Sequence, residues 1–161
     1  MRHIRVLRTL SVVYCLATPA FADTPPSPVT PASPSPAAVY QEECGSCHLA
    51  YPARFLSSSS WAALLDGLTR HFGQNARVDE PTLATLRAYL ADGGRKHATN
   101  DTGGAPALRI TQTRWFLNEH RGMDKRNVWH LPSVRTPANC AACHMEAAQG
   151  KFGEHGVRVP K

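Results

Sequence analysis

Two pentapeptides, CGSCH at Cys44–His48 and CAACH at Cys140–His144, each place two thiols three residues apart and an imidazole directly after the second. Several kinds of chemistry use such groups. Two disulfides would suit an exported chain, one zinc ion would accept four thiolates from two CxxC pairs, and a single CxxC can cycle as a thioredoxin-like dithiol. The disulfide and zinc readings leave the two histidines unexplained, and the dithiol reading wants a strand–helix alternation that the chain lacks. Covalent haem attachment uses every residue of the pattern. Thiols at i and i+3 of a helical turn share one face and reach the two porphyrin vinyl groups as thioethers, and the histidine at i+4 then lies below the ring centre. Apart from Cys15 the chain has no further cysteine. Two copies therefore predict two haem c groups, attached through Cys44, Cys47, Cys140 and Cys143, with His48 and His144 as proximal iron ligands.

Each iron then has one further axial position. The candidates are His71, His97, His120, His130, His155, Met123 and Met145. Met145 follows His144 and cannot reach the other face of the same ring. His71 lies three residues after Leu68 and beside Phe72, on the edge of an apolar face. His120 follows Phe116 by four residues and Trp115 by five. These two are the expected distal ligands. His130 sits beside Trp129 just before Leu131 and Pro132, in a loop, and is the first replacement. His97 and His155 lie in polar or glycine-flanked stretches and are expected in solvent, and Met123 is a weak sulfur candidate. With 23 residues from His48 to His71 and 24 from His120 to His144, the simplest pairing is within each half. A crossed pairing, each distal residue over the other haem, stays open.

The elements that must position these groups are helical. Trp61, Leu64, Leu65, Leu68 and Phe72 recur at helical spacing, predicting an amphipathic helix that carries His71. Asp79 reads as an N-cap, Leu83, Leu86 and Leu90 as one face, and Gly93-Gly94 as a stop. ITQTRWFLNEHRG predicts a shorter helix ending near Gly122. TPANCAACHMEAAQG predicts another, with Thr136 as N-cap, Pro137 at the first position and Gly150 beyond the end. The fold class expected is mainly α: a small helical domain, cytochrome c-like, with long loops wrapped around two haems.

Upstream, Arg2, Arg5 and Arg8 precede an apolar run from Leu10 to Ala17 that falls short of the roughly 20 residues a spanning helix needs, and Ala20-Phe21-Ala22 has the small-x-small form of a cleavage site. Residues 1–22 therefore read as a secretory signal cleaved after Ala22, taking Cys15 with it. Tyr14 before Cys15 argues against a lipoprotein signal. Residues 23–38, with six prolines, read as a disordered spacer, and residues 39–161 as one dihaem domain. No stable membrane insertion is expected. The formal net charge is +6, of which the three leader arginines account for half, leaving +3. Haem propionates lower it further, so nucleic acid is not an expected partner. The sequence shows no nucleophile triad, phosphate loop or HExxH, and an electron carrier rather than an enzyme is expected.

CGSCHLAYP, HFGQNA, ITQTRWFLNEHR and PSVRTPANCAACHMEAAQGKFGE together resemble the dihaem cytochrome c family of bacterial periplasmic electron carriers, over about Glu43 to Pro160. The resemblance implies bis-histidine, low-spin haems and electron exchange with another redox protein, in some members an oxygen-binding monohaem cytochrome; a membrane cytochrome is a further candidate partner. His71 and His120 fall in family-like stretches. RKHAT and the residue at His130 look peculiar to this chain. Two other functions remain open: a small dihaem subunit of a larger periplasmic reductase of the nitrate reductase type, and a haem sensor or enzyme if one iron has an open distal position.

Overall fold

The computed structural model describes residues 33–96 and 105–161. The expected signal over 1–22, most of the expected spacer and His97 lie outside them. The described part is mainly helical. Four α-helices are joined by loops and short 3-10 turns: α1 Pro36–Gly45, α2 Ser58–Asp66, α3 Glu80–Gly93 and α4 Arg114–Glu119. Among the described residues, extended pairing is limited to isolated bridges.

Helix α1 begins inside the stretch expected to be a spacer. Ser35 caps it, its hydroxyl accepting from the Ala38 N–H at 3.2 Å, and Pro36 takes the first turn, where its missing N–H costs nothing. The helix carries Tyr40 into the core and ends at the first haem motif. Helix α2 is capped by Ser57. It was expected to run on through His71, but it stops at Asp66, because Gly67 takes the C-cap and a 3-10 turn over Leu68–Arg70 follows. His71 is therefore on a turn beyond the helix. Helix α3 has the expected bounds: the Asp79 carboxylate accepts from Thr82 N at 2.9 Å, and Gly94 closes the far end. A side chain at Gly94 would meet Ser58 backbone nitrogen at 2.9 Å. Glycine there lets the end of α3 close on the start of α2, where Arg95 N–H donates to Leu56 O and Ser58 N–H to Arg95 O.

Helices α1 and α2 both pack against α3. Between them Tyr40, Leu56, Trp61, Leu65, Leu86 and Leu90 form one buried cluster. Tyr40 donates its hydroxyl to Tyr51 O and Trp61 its indole N–H to Ala53 O, so the polar tips of both rings are satisfied.

The second half has less regular structure. Thr113 caps α4 through a 3.1 Å bond from Phe116 N–H and donates its own hydroxyl to Ile110 O. The helix expected from Thr136 to Gln149 does not form. In its place are 3-10 turns over Cys140–Ala142 and Ala147–Gln149. The Cys143 carbonyl accepts from Arg158 N–H at 2.8 Å, and Met145 N–H donates to Gly156 O at 3.1 Å. Pairing with the C-terminal segment takes up the backbone groups that an uninterrupted helix would have used.

Candidate haem-binding sites

Each CxxCH motif lies on a helical turn, but on turns of different kinds. Cys44 is in the last turn of α1 and half-buried; Cys47 and His48 follow past the C-cap and are exposed. Cys140 to His144 form a 3-10 turn closed by Cys143 N–H to Cys140 O and His144 N–H to Cys140 O, and Cys140, Cys143 and His144 are all half-buried. Neither CxxC is closed as a disulfide. Burial, with help from Glu43, pushes the Cys44 thiol up to about 11, and burial also raises Cys140 and Cys143.

The imidazoles come together in two pairs. The His48 and His71 rings lie 6.2 Å apart between centroids and nearly parallel, at 20°. The His120 and His144 rings lie 6.1 Å apart at 68°. Two imidazoles sharing one metal at about 2.0 Å per nitrogen, each ring centre roughly 1 Å farther out, have centroids about 6 Å apart. Each separation suits a single iron, and each of these two ring pairs is formed within one half of the chain.

The ring nitrogens are also arranged for ligation. The His48 Nδ1–H donates to Leu49 O at 2.8 Å and the His120 Nδ1–H to Phe116 O at 2.9 Å. A carbonyl acceptor fixes the proton on Nδ1 and leaves the Nε2 lone pair free for a metal. Among the described residues, Nδ1 of His71 and of His144 is buried without a hydrogen-bond partner. Burial lowers the pKa of both of these residues; the neighbouring imidazole adds to this in each case, and Arg109 adds for His71. The neutral form, the one that binds metal, is favoured.

Each pair lines a cavity. The first, of about 170 Å³, has His48 and His71 with Leu56, Trp61, Leu64 and Leu108 among its walls. The second, of about 300 Å³, has His120, His144, Cys140 and Cys143 with Met123 and Trp129. Cys44 and Cys47 do not line the first cavity, whereas Cys140 lines both, as do Ile110 and Phe116. These three residues form a common wall. Tyr51 reinforces the junction by donating its hydroxyl to Ala138 O at 3.4 Å, across 87 residues of sequence.

His130, His155 and Met145 are exposed and outside both cavities; Met123 lines the second. Sequence reasoning missed the aromatic groups that hold the imidazoles. Tyr51 lies 5.3 Å from the His48 ring, Phe152 5.3 Å from His144, and Trp129 5.9 Å from His120. For Tyr51 a local signal was present, since it lies three residues after His48, but contacts such as His120 with Trp129 depend on loop closure. No helix among the described residues is long and apolar enough to cross a membrane.

Residues 40–152 match the family model of dihaem cytochrome c. Among solved structures, a diheme cytochrome type c from Shewanella baltica OS155 is similar at a TM-score of 0.65 and 34% identity, over 78% of this chain and 94% of that one. A diheme cytochrome c from Rhodobacter sphaeroides is similar at 0.61 and 33% identity, over 71% of this chain and 94% of that one. The search of curated proteins returned no match. A family match across most of the chain, two imidazole pairs and two CxxCH turns lead to one conclusion: the chain belongs to the dihaem cytochrome c family and carries two haem c groups.

Proposed function

We propose that the protein passes electrons through its two haems to or from another redox protein, in the periplasm, after export and cleavage behind Ala22. Cys44 and Cys47 attach the first haem and Cys140 and Cys143 the second. His48 and His71 are the axial ligands of the first iron, His144 and His120 those of the second. The observation that carries this reading is the pair of imidazole separations, 6.2 and 6.1 Å, each suited to one iron.

When bound, the haems supply a one-electron ferric–ferrous couple. The chain's own part is to hold and insulate. Leu49 O and Phe116 O orient one imidazole in each pair. Trp61, Leu56 and Leu64 keep water from the first site, and Phe116, Trp129 and Phe152 from the second. Bis-histidine ligation lacks the methionine sulfur that raises potential, so both couples should lie below those of histidine–methionine cytochromes. The partner is a redox protein such as a monohaem cytochrome or a membrane cytochrome.

A redox titration followed by absorption and EPR tests the assignment. Two low-spin bis-histidine signals, two one-electron waves and a mass increment of two haems that persists in denaturant are expected. Haem extracted into acidified organic solvent would overturn covalent attachment.

A further inference from the structure

The two distal histidines are held very differently. His120 forms the C-cap of α4. Its backbone N–H and its Nδ1–H both donate to Phe116 O, at 3.0 and 2.9 Å, and its ring stacks on the Phe116 ring at 4.0 Å and 19°. Phe116 is itself buried. Releasing His120 from a metal would therefore break the cap and unstack a buried ring.

Among the described residues His71 has no such cap and no imidazole hydrogen bond, and its ring meets the exposed Phe72 ring edge-on at 4.8 Å. It opens a tight turn closed by Gln74 N–H to His71 O at 3.0 Å. Phe72 in that turn has φ +49° and Gly73 φ +94°. A left-handed backbone suits glycine but not a phenylalanine, and such a conformation costs on the order of 1–3 kcal/mol unless its surroundings impose it. Those surroundings are thin: Phe72 is 47% exposed and is covered by the Arg109 guanidinium, 4.1 Å from its ring centroid. The His71 Nδ1 has no hydrogen-bond partner among the described residues. Swinging the turn outward relaxes Phe72 and breaks no hydrogen bond to the imidazole.

The space beside His71 is walled by Leu56, Trp61, Leu64 and Leu108. Tyr51, Arg109 and Thr111 stand on its polar side, and a molecule that takes the place of one imidazole there has to be small. We propose that the first iron is a binding site for a small diatomic molecule, reached by release of His71, while the second iron stays closed. This rests on the axial assignment above. In the exchange the His71 nitrogen leaves with its lone pair, the entering molecule donates one in its place to the reduced iron, and no electron or proton is transferred.

Carbon monoxide titration of the reduced full chain with both haems attached, followed by absorption, tests the proposal. The unaltered protein should take up one carbon monoxide per two haems. His120→Ala should take up two. His71→Ala should still take up one, about 10- to 1,000-fold more tightly, because the competing imidazole, released in only about 0.1–10% of molecules, is gone. No uptake by the unaltered protein would overturn the proposal. So would uptake of two, an unchanged affinity in His71→Ala, or the reverse pattern with His120→Ala taking one and His71→Ala two. Failure of the axial assignment has its own signature: high-spin iron in the unaltered protein before any gas is added, or a His71→Ala variant that remains wholly low-spin.

Discussion

The half of the molecule around His48 and His71 has a core of its own, while in the half around His120 and His144 the buried residues are scattered. In the first, three helices of 9 to 14 residues enclose Tyr40, Leu56, Trp61, Leu65, Leu86 and Leu90. In the second, the one α-helix has six residues, and the buried residues Phe116, Val128, Val134 and Ala147 are spread among turns. The restraints on the ligands run the other way. The well-packed half leaves His48 exposed and His71 on a strained turn, and the loosely built half pins His120 to Phe116 and clamps His144 with Arg158 and Gly156 on either side. An apolar core stabilises the chain without fixing what lies at its edge. Where no such core exists, the ligands and their hydrogen bonds must themselves organise the backbone.

The largest test of this contrast is to remove one attachment at a time. Cys140→Ala with Cys143→Ala should leave residues from Ala107 onward open to proteolysis while α1 to α3 stay protected. Cys44→Ala with Cys47→Ala should leave α1 to α3 protected as well, because Tyr40, Leu65, Leu86 and Leu90 pack on one another away from the first cavity. Equal loss of protection in both variants, read by limited proteolysis and mass spectrometry, would erase the distinction.

Next come the distal ligands. His71→Ala and His120→Ala should each turn one haem high-spin and leave the other low-spin, with a different haem affected in each. EPR reads this directly, and two low-spin signals in either variant would mean that the residue lost was not a ligand. At the level of packing, Leu86→Ala should cost about 2–5 kcal/mol and Phe116→Ala about 3–5 kcal/mol in denaturant unfolding of the haem-loaded protein. Leu86→Ala should leave both EPR signals in place, while Phe116→Ala should shift that of the second haem by freeing His120. The smallest effects sharpen the same point. Asp79→Ala and Thr113→Ala each remove an N-cap worth about 1 kcal/mol, and only Thr113→Ala should move a reduction potential, since α4 carries His120 and α3 carries no ligand.

The motifs and α3 were legible because local chemistry decides them. A CxxCH turn needs only its own five residues, and the Asp79 cap and Gly94 stop act within one turn. Helix α1 had a local signal too, Ser35 followed by Pro36, but it was masked by the prolines before it. The misread elements depend on distant partners or on single glycines. Gly67 ended α2 five residues before Phe72, although the apolar spacing continued past it. The stretch from Thr136 to Gln149 satisfies every local rule for a helix, yet Cys143 O and Met145 N–H pair with Arg158 and Gly156 instead. That choice rests on a segment more than ten residues away, which periodicity does not see. His71 and His120 were singled out by their large apolar neighbours, and the unequal restraint on them was not legible, because it depends on where each helix stops.

The wall of Ile110, Phe116 and Cys140 between the two cavities limits how the protein can be re-engineered or can diverge. A change of side-chain volume there alters two sites at once, so a mutation that improves one haem environment carries an unselected effect on the other. Independent adjustment of the two potentials is confined to the outward walls: Leu64 and Leu108 on one side, Met123 and Trp129 on the other. A designer seeking a wider gap between the two couples should vary those positions and leave the shared wall fixed; one seeking to move both couples together has a single-residue handle in Ile110.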